Sequence, residues 1–209
     1  MQTIDQQMAT VALRTKINLE DPLAAVKFGW DLAGRLDKNN SPSGRPKILL
    51  CIGTDRSTGD CLGPLVGSKL SALAQDFFHV YGTLEQPVHA SNLKQKLDEI
   101  YRHYENPLIV AVDACLGSLE NVGCVNIGDG SLQPGAGVNK NLPPVGQIHI
   151  TGIVNVGGFM EYLVLQNTRL NLVMRLADLI VEGLMNAIGY CTQEEIPEQL
   201  DQSVQAQSF

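Results

Sequence analysis

The stretch that most constrains this chain runs from Lys47 to Gly67, KILLCIGTDRSTGDCLGPLVG. It opens on an apolar run, Ile48 to Ile52, with no polar alternation, which suits a strand buried on both faces. Gly53 ends the run. Thr54 to Gly59 is a polar loop with two acids close by, Asp55 and Asp60. Leu62, Leu65, Val66, Leu70 and Leu73 then recur at helical spacing. The unit reads as strand, Gly/Ser/Thr loop, helix, and in an open α/β sheet such a loop lies at the carboxyl ends of the strands, where ligands bind. A second apolar run, Leu108 to Val112, predicts another buried strand with Asp113 at its end.

The rest of the chain supplies the partners of these two strands. With 209 residues, 44% of them hydrophobic, it is long enough for one domain with a full core. The residues 1–19 are polar and weakly patterned and read as a loose N-terminal arm. A single domain is expected over 20–191, and the Gln/Glu-rich residues 192–209 read as a disordered tail. Asp21-Pro22 predicts a helix start, with Leu23, Val26, Trp30, Ala33 and Leu36 on the inward face of a helix over 21–38. Phe77 to Tyr81 reads as a strand, Leu93 to Tyr104 as a helix, and Val122 to Ile127 as a strand. The link before that last strand is too short for a crossover helix, so antiparallel pairing with the Asp113 strand is expected. The Gly/Pro/Asn-rich segment 129–146 is long for a loop and reads as one that shapes or covers a cleft. Gln147 to Val154 alternates as a strand, and Thr168 to Gly189 is a long helix with Leu172, Val173, Leu176, Ile180 and Leu184 inward. This order predicts an α/β fold, a three-layer α/β/α sandwich around a mostly parallel mixed sheet.

A formal charge of −7 argues against a general nucleic-acid binder but leaves room for a cationic protein substrate. No apolar run reaches membrane-spanning length and the first residues hold no signal-peptide core, so a cytoplasmic protein without membrane contact is expected. Cysteines 51, 61, 115, 124 and 191 form no CxxC pair, and they are expected to be reduced thiols.

Asp60 and Asp113 are the candidate catalytic pair. Two carboxylates held close cannot easily both ionise, so they share a proton; the ionised member draws a proton from water while the other polarises a carbonyl. The plain alternatives are that Asp60 caps the following helix and Asp113 a turn. Arg56 is a candidate for steadying an oxyanion or a substrate carboxylate, beside Asp55, against a simple surface pair of the two. Glu85 and His89, on the loop after the second strand, are candidates for substrate contact, a general base or a metal site. His149, inside a strand, reads as structural. The loop lacks the P-loop lysine and the GxGxxG spacing, which weakens a phosphate reading. Cys61 is a nucleophile candidate only by its place at a helix start.

At CIGTDRSTGDCLGPLVG (51–67) the sequence resembles the YyaC-type sporulation proteins of endospore-forming bacteria. HVYGTLEQPVHASNL (79–93), IVAVDACLG (109–117), IGDGSLQPGAGV (127–138) and HITGIVNVGGFMEYLVLQNTRL (149–170) extend the resemblance over roughly residues 47–190. That family in turn resembles the germination protease and the hydrogenase maturation endopeptidases, whose phosphorylase/hydrolase-like sandwich carries one acid after the first strand and an Asp at a later strand end. Those acids fall on Asp60 and Asp113. Where the maturation enzymes place a nickel-holding histidine, this chain has Ile153-Val154-Asn155-Val156. The departure tilts the resemblance toward a metal-free aspartate pair and makes Asn155 a candidate substrate contact.

The resemblance thus implies a spore-associated peptidase acting on a protein or peptide, located in the forespore if the family role carries over. No cofactor is expected, with a divalent metal at Asp60 and Asp113 left open, as is a homo-oligomer. A non-catalytic module binding a ligand or peptide in the same cleft and a metal-dependent hydrolase are the alternatives.

Overall fold

The computed structural model describes residues 14–41, 43–134 and 142–192. Its strands are β1 (Thr15–Asn18), β2 (Lys47–Cys51), β3 (His79–Tyr81), β4 (Leu108–Gly117), β5 (Cys124–Asp129) and β6 (Ile148–Val156). Its helices are α1 (Ala24–Asn39), α2 (Leu62–Ser71), α3 (Leu93–His103), α4 (Glu161–Gln166) and α5 (Leu170–Thr192). They form one six-stranded sheet in the order β1-β5-β6-β4-β2-β3. β2 pairs in parallel with β3 and β4, and β4 in parallel with β6; β5 runs antiparallel to both β6 and β1. This is the three-layer α/β/α sandwich with a mostly parallel mixed sheet.

Period-two alternation in buried strands divides the core between two layers. Leu49, Cys51, Val110 and Val112 face a cluster completed by α1, α2 and α5. Ile48, Leu50, Ile109 and Ala111 face a second cluster with Leu93, Leu97 and Ile100 of α3. Leu132, Leu142 and Val145 extend that second cluster beyond α3. Burying a side chain of this size is worth about 1.5–3 kcal/mol, so the apolar runs of β2 and β4 are the principal stabilisers of the site they carry.

Several expectations need correction. Thr15–Asn18, expected within a loose arm, is an edge strand on β5 with Ile17 buried; four residues are too few for alternation to register. The first helix begins at Ala24, after a turn in which Asp21 Oδ1 accepts the Leu23 N–H at 2.9 Å. Its buried face is Ala25, Phe28, Leu32 and Leu36, while Leu23, Val26 and Trp30 are exposed. The reason is close packing on α5 through small residues. Phe28 lies over Gly183, and Gly29 lies against Asn186 and Tyr190. A stripe chosen by side-chain size therefore points to the wrong flank, where Trp30 meets Tyr190 at 5.2 Å between ring centroids.

β5 does run opposite to β4, but β6 lies between them. Skipping one strand requires a lateral step of roughly 10 Å, which the turn at Leu119–Asn121 spans. Finally, β4 does not stop at Asp113 but continues to Gly117. The carboxylate therefore sits inside a strand. Of the 129–146 loop, residues 135–141 lie outside the described residues, as do the tail from 193 and the arm to residue 13.

Candidate active site

The crossover from β2 through α2 leads to β3 on one side, and the next, through α3, returns across β2 to β4 on the other. Right-handed crossovers in opposite directions place α2 and α3 on opposite faces and leave a crevice beyond the carboxyl ends of β2 and β4. Asp113 lies one residue past the last β2–β4 rung, Cys51 with Val112. Asp60 lies on the 3₁₀ turn Gly59–Cys61 that leads from the β2 loop into α2.

The loop is closed by main-chain bonds. Ile52 N–H donates to Val112 O at 2.7 Å, Gly53 N–H to Val88 O at 2.8 Å and Thr54 N–H to Asp60 O at 3.0 Å. Gly53 has φ 144°, in the region L side chains rarely adopt. On the other side, a side chain at Gly59 would meet Leu165 Cδ2 at 2.8 Å and Thr168 Oγ1 at 2.9 Å. Asp60 is thus flanked by two glycines that nothing larger can replace in place. Ser57, in the same loop, is buried, and its hydroxyl has no hydrogen-bond partner in the structure.

Asp113 is only 8% exposed. Burial holds its carboxyl well above the usual carboxylate range, and the negative charge of Asp60 pushes it further up. The Ala114 N–H, donating to Asp113 Oδ1 at 2.8 Å, opposes both effects. Across the ladder Asp113 faces Thr151 of β6. The two thiols nearby are held protonated. Burial pushes Cys115 up to about 11, with Asp113 adding to it. Cys61 is raised first by burial and then by the charges of Asp60 and Asp55, although a main-chain bond lowers it. An activated thiolate requires the opposite surroundings.

The other sequence candidates are less closely gathered. Asp55 and Arg56 are exposed on the loop; Thr54 Oγ1 donates to Asp55 Oδ1 at 3.4 Å and accepts the Arg56 N–H at 3.3 Å. No ion pair joins Asp55 to Arg56 among the described residues. Glu85 is exposed on the turn Thr83–Gln86, which follows β3 and lies across β2 from Asp113. His89 builds the entry to α3: its Nδ1 accepts the Ser91 N–H at 3.3 Å and its N–H donates to Asn92 Oδ1 at 2.8 Å. Asn155 ties the end of β6 to the next helices. Its Nδ2 donates to Thr168 Oγ1 at 3.3 Å, and its Oδ1 accepts the Val156 N–H at 2.8 Å. His149 is buried, with Nδ1–H donating to Gly130 O at 3.1 Å.

Sequence reasoning missed the hollow beside Asn155. It has a volume of about 500 Å³ and is lined by Val156, Gly157, Phe159, Leu163, Val164 and Asn167. Phe159 is 87% exposed there. An apolar pair, Phe159-Met160, directly after Gly157-Gly158 was the available signal. Thr151 and Ser57 were also missed, since nothing in a single sequence marks a rung partner or a buried loop hydroxyl.

Asn155, in the stretch Ile153–Val156 that holds no histidine, has its amide bonded to Thr168 and Val156. Among the described residues no group of three or more His, Cys, Asp or Glu could hold a metal ion. No helix among the described residues is long and apolar enough to cross a membrane.

The class of protein that the fold defines is an open, mostly parallel α/β/α sandwich, in which the charge of Asp60 acts on the buried Asp113 carboxyl. The chain belongs to the family described as "Protein of unknown function (DUF1256)", which it matches over residues 16–183. It is similar to the protein titled "Uncharacterized protein YyaC" of Bacillus subtilis (strain 168), at 62% identity over 164 residues, 78% of each chain. Among solved structures it overlaps a [NiFe] hydrogenase maturation protease, HycI of Thermococcus kodakarensis, at 19% identity and a TM-score of 0.41. That match covers 71% of this chain and 99% of the other.

Proposed function

We propose that the protein is a peptidase that hydrolyses a peptide bond of a protein substrate with the pair Asp60 and Asp113. The observation that carries this reading is the buried Asp113 carboxyl, whose pKa is raised by burial and by the negative charge of Asp60. Environments that push two carboxyls apart assign their roles. Asp113 keeps its proton and donates a hydrogen bond to the scissile carbonyl oxygen. In this reading the half-buried Asp60 is the base that takes a proton from the attacking water. The hydroxide oxygen bonds to the carbonyl carbon, and the carbonyl oxygen takes the Asp113 proton. The resulting diol collapses as the proton held on Asp60 passes to the departing nitrogen. The C–N bond breaks, and a diol proton returns to Asp113. The products are a carboxylic acid and an amine. In this reading loop N–H groups or Arg56 steady the developing charge.

The resemblance of its motifs to sporulation proteins is what suggests a spore-protein substrate in the forespore. The test is release of peptides from a sporulating-cell extract, read by mass spectrometry, with parent protein, Asp60→Asn and Asp113→Asn. Both variants are expected to remain folded and to lose cleavage by about 10³-fold or more. Equal cleavage by all three sinks the reading.

A further inference from the structure

We propose that Thr168, braced by Asn155, is a positioning residue: its hydroxyl holds the turn Gly59–Cys61, and with it Asp60, in a fixed place relative to the strand that carries Asp113. The inference goes beyond the peptidase reading, because the placement of the two acids is measurable in a protein that cleaves nothing. Only its consequence for cleavage rests on that reading.

A threonine just before a helix ordinarily turns its side-chain oxygen to the free N–H groups of the first helical turn. Thr168 precedes α5, which starts at Leu170, and is only 6% exposed. Its hydroxyl is engaged elsewhere. Oγ1 donates to Val164 O at 2.8 Å and accepts from Asn155 Nδ2 at 3.3 Å. Neither partner belongs to α5. The same oxygen lies over Gly59: a methyl group built there would be 2.9 Å from it and 2.9 Å from Leu165 O. Gly59 therefore rests directly on the α4–α5 junction, and the 3₁₀ turn runs from it into Asp60.

Asn155 ties this contact to the other acid. It stands opposite Leu116 in the β4–β6 ladder that also pairs Thr151 with Asp113. Its Oδ1 accepts the Val156 N–H at 2.8 Å, which orients the amide so that Nδ2 meets Thr168. The two acids are thus referred to one frame, running from the ladder through Asn155 and Thr168 to Gly59. On its other side the turn is fixed by the Thr54 N–H, which donates to Asp60 O at 3.0 Å. A turn clamped from both sides is preorganised. The brace acts on the main chain of the turn, and the side-chain contacts of Asp60 are common to the parent and every variant below.

Burial and the charge of Asp60 raise the Asp113 carboxyl, and the Ala114 N–H opposes them. Burial and the Ala114 bond belong to the sheet, whereas the contribution of Asp60 depends on where the turn stands. Freedom for the turn to move away relieves the state in which both acids are charged, and so lowers the pKa of Asp113. The Cys115 thiol, pushed up to about 11, does not compete in the acid and neutral range.

The test is a carbon-13 titration of aspartate-labelled protein, with the Asp113 carboxyl signal assigned by its absence from Asp113→Asn. Thr168→Ala removes the hydroxyl and is expected to move the Asp113 midpoint down. Thr168→Ser keeps the hydroxyl and is expected to titrate like the parent. Asn155→Ala is expected to move the midpoint in the same direction, and it decides the matter if Thr168→Ala does not fold. Ile180→Val, in the buried core of α5, is expected to unfold earlier and to leave the midpoint in place. An unmoved midpoint in the deciding alanine variant, or an equal movement in Thr168→Ser or Ile180→Val, overturns the brace. In the extract assay, peptide release by Thr168→Ala is expected to fall about tenfold. A parent that releases no peptide overturns the peptidase reading instead, and the titration still decides the brace.

Discussion

The main-chain carbonyl of Asp60 lies against the Cα of Gly53, so that a methyl group at Gly53 would collide with the Asp60 carbonyl oxygen. The same carbonyl accepts the Thr54 N–H at 3.0 Å. Gly53→Ala meets both a forbidden φ and this contact, and the strain and overpacking together cost about 3 kcal/mol. Thermal unfolding should fall by about 10 °C. Because the contact is to Asp60 itself, cleavage should fall further than the loss of folded protein explains. A variant that unfolds earlier but cleaves normally below its transition would separate loop closure from the placement of the acid.

Asp113 makes a pH-dependent contribution whose sign is opposite to that of an ordinary surface carboxylate. Its folded pKa is raised from 3.8 by burial and by Asp60, so the folded state holds a proton that the unfolded state releases. The stability linked to this group is complete below 3.8 and is lost as pH rises through the folded value. Asp113→Asn has no proton to lose. At neutral pH it should unfold at a higher temperature than the parent, and the difference should shrink as pH falls toward 3.8. A variant less stable than the parent at neutral pH, with no convergence in acid, would mean that Asp113 is ionised in the fold.

Arg35 is buried on α1 and holds the edge strand that the sequence did not reveal. Its Nε donates to Asp31 Oδ2 at 2.6 Å, its Nη2 to Thr15 Oγ1 at 3.2 Å, and its Nη1 lies 3.3 Å from Asp129 Oδ2. Removing one partner of a buried pair leaves the other charge unmatched, worth 3–5 kcal/mol when burial is complete. Asp31 and Asp129 are partly exposed, which reduces the expected cost of Arg35→Ala to about 2 kcal/mol. Amide exchange should quicken along Thr15–Asn18 and β5 before it does along β2. Uniform quickening across the sheet would show that the ion group supports the whole domain rather than its edge.

The contrast between these residues shows what a single sequence makes legible. The β2 and β4 runs are apolar at every position because both faces are covered, so they and the acids after them stand out without any partner being known. The layer order follows from crossover handedness. By contrast, the buried face of α1 depends on Gly183 and Gly29, more than 150 residues apart, and small residues give no periodic signal. The position of β6 between β4 and β5 depends on a long loop, and loop paths leave no pattern. Asp113 was legible as an acid near a strand end, but not as a residue inside the strand. That difference decides its burial and hence its chemistry. Glu85 and His89 were singled out by residue type, and the structure gives His89 to the start of α3.

His149 supplies the acid-side counterpart to Asp113. It is buried, and its pKa is lowered from 6.5 mainly by that burial, with the charges of Arg14 and Arg35 adding to it and the Gly130 bond and Asp129 opposing. The folded state therefore holds a neutral ring with Nδ1–H on Gly130 O, and the unfolded state gains a proton as pH falls below 6.5. Stability linked to His149 is present above 6.5 and is lost as pH falls through the folded value. His149→Asn keeps a donor for Gly130 O and does not titrate. Its unfolding temperature should decline less steeply than that of the parent between pH 6.5 and the acid limb. Asp113 acts with the opposite sign above 3.8, so the two slopes offset where their windows overlap, and each single variant should unmask the slope due to the other group. Parallel profiles for parent and His149→Asn would show that the ring is already charged in the folded protein.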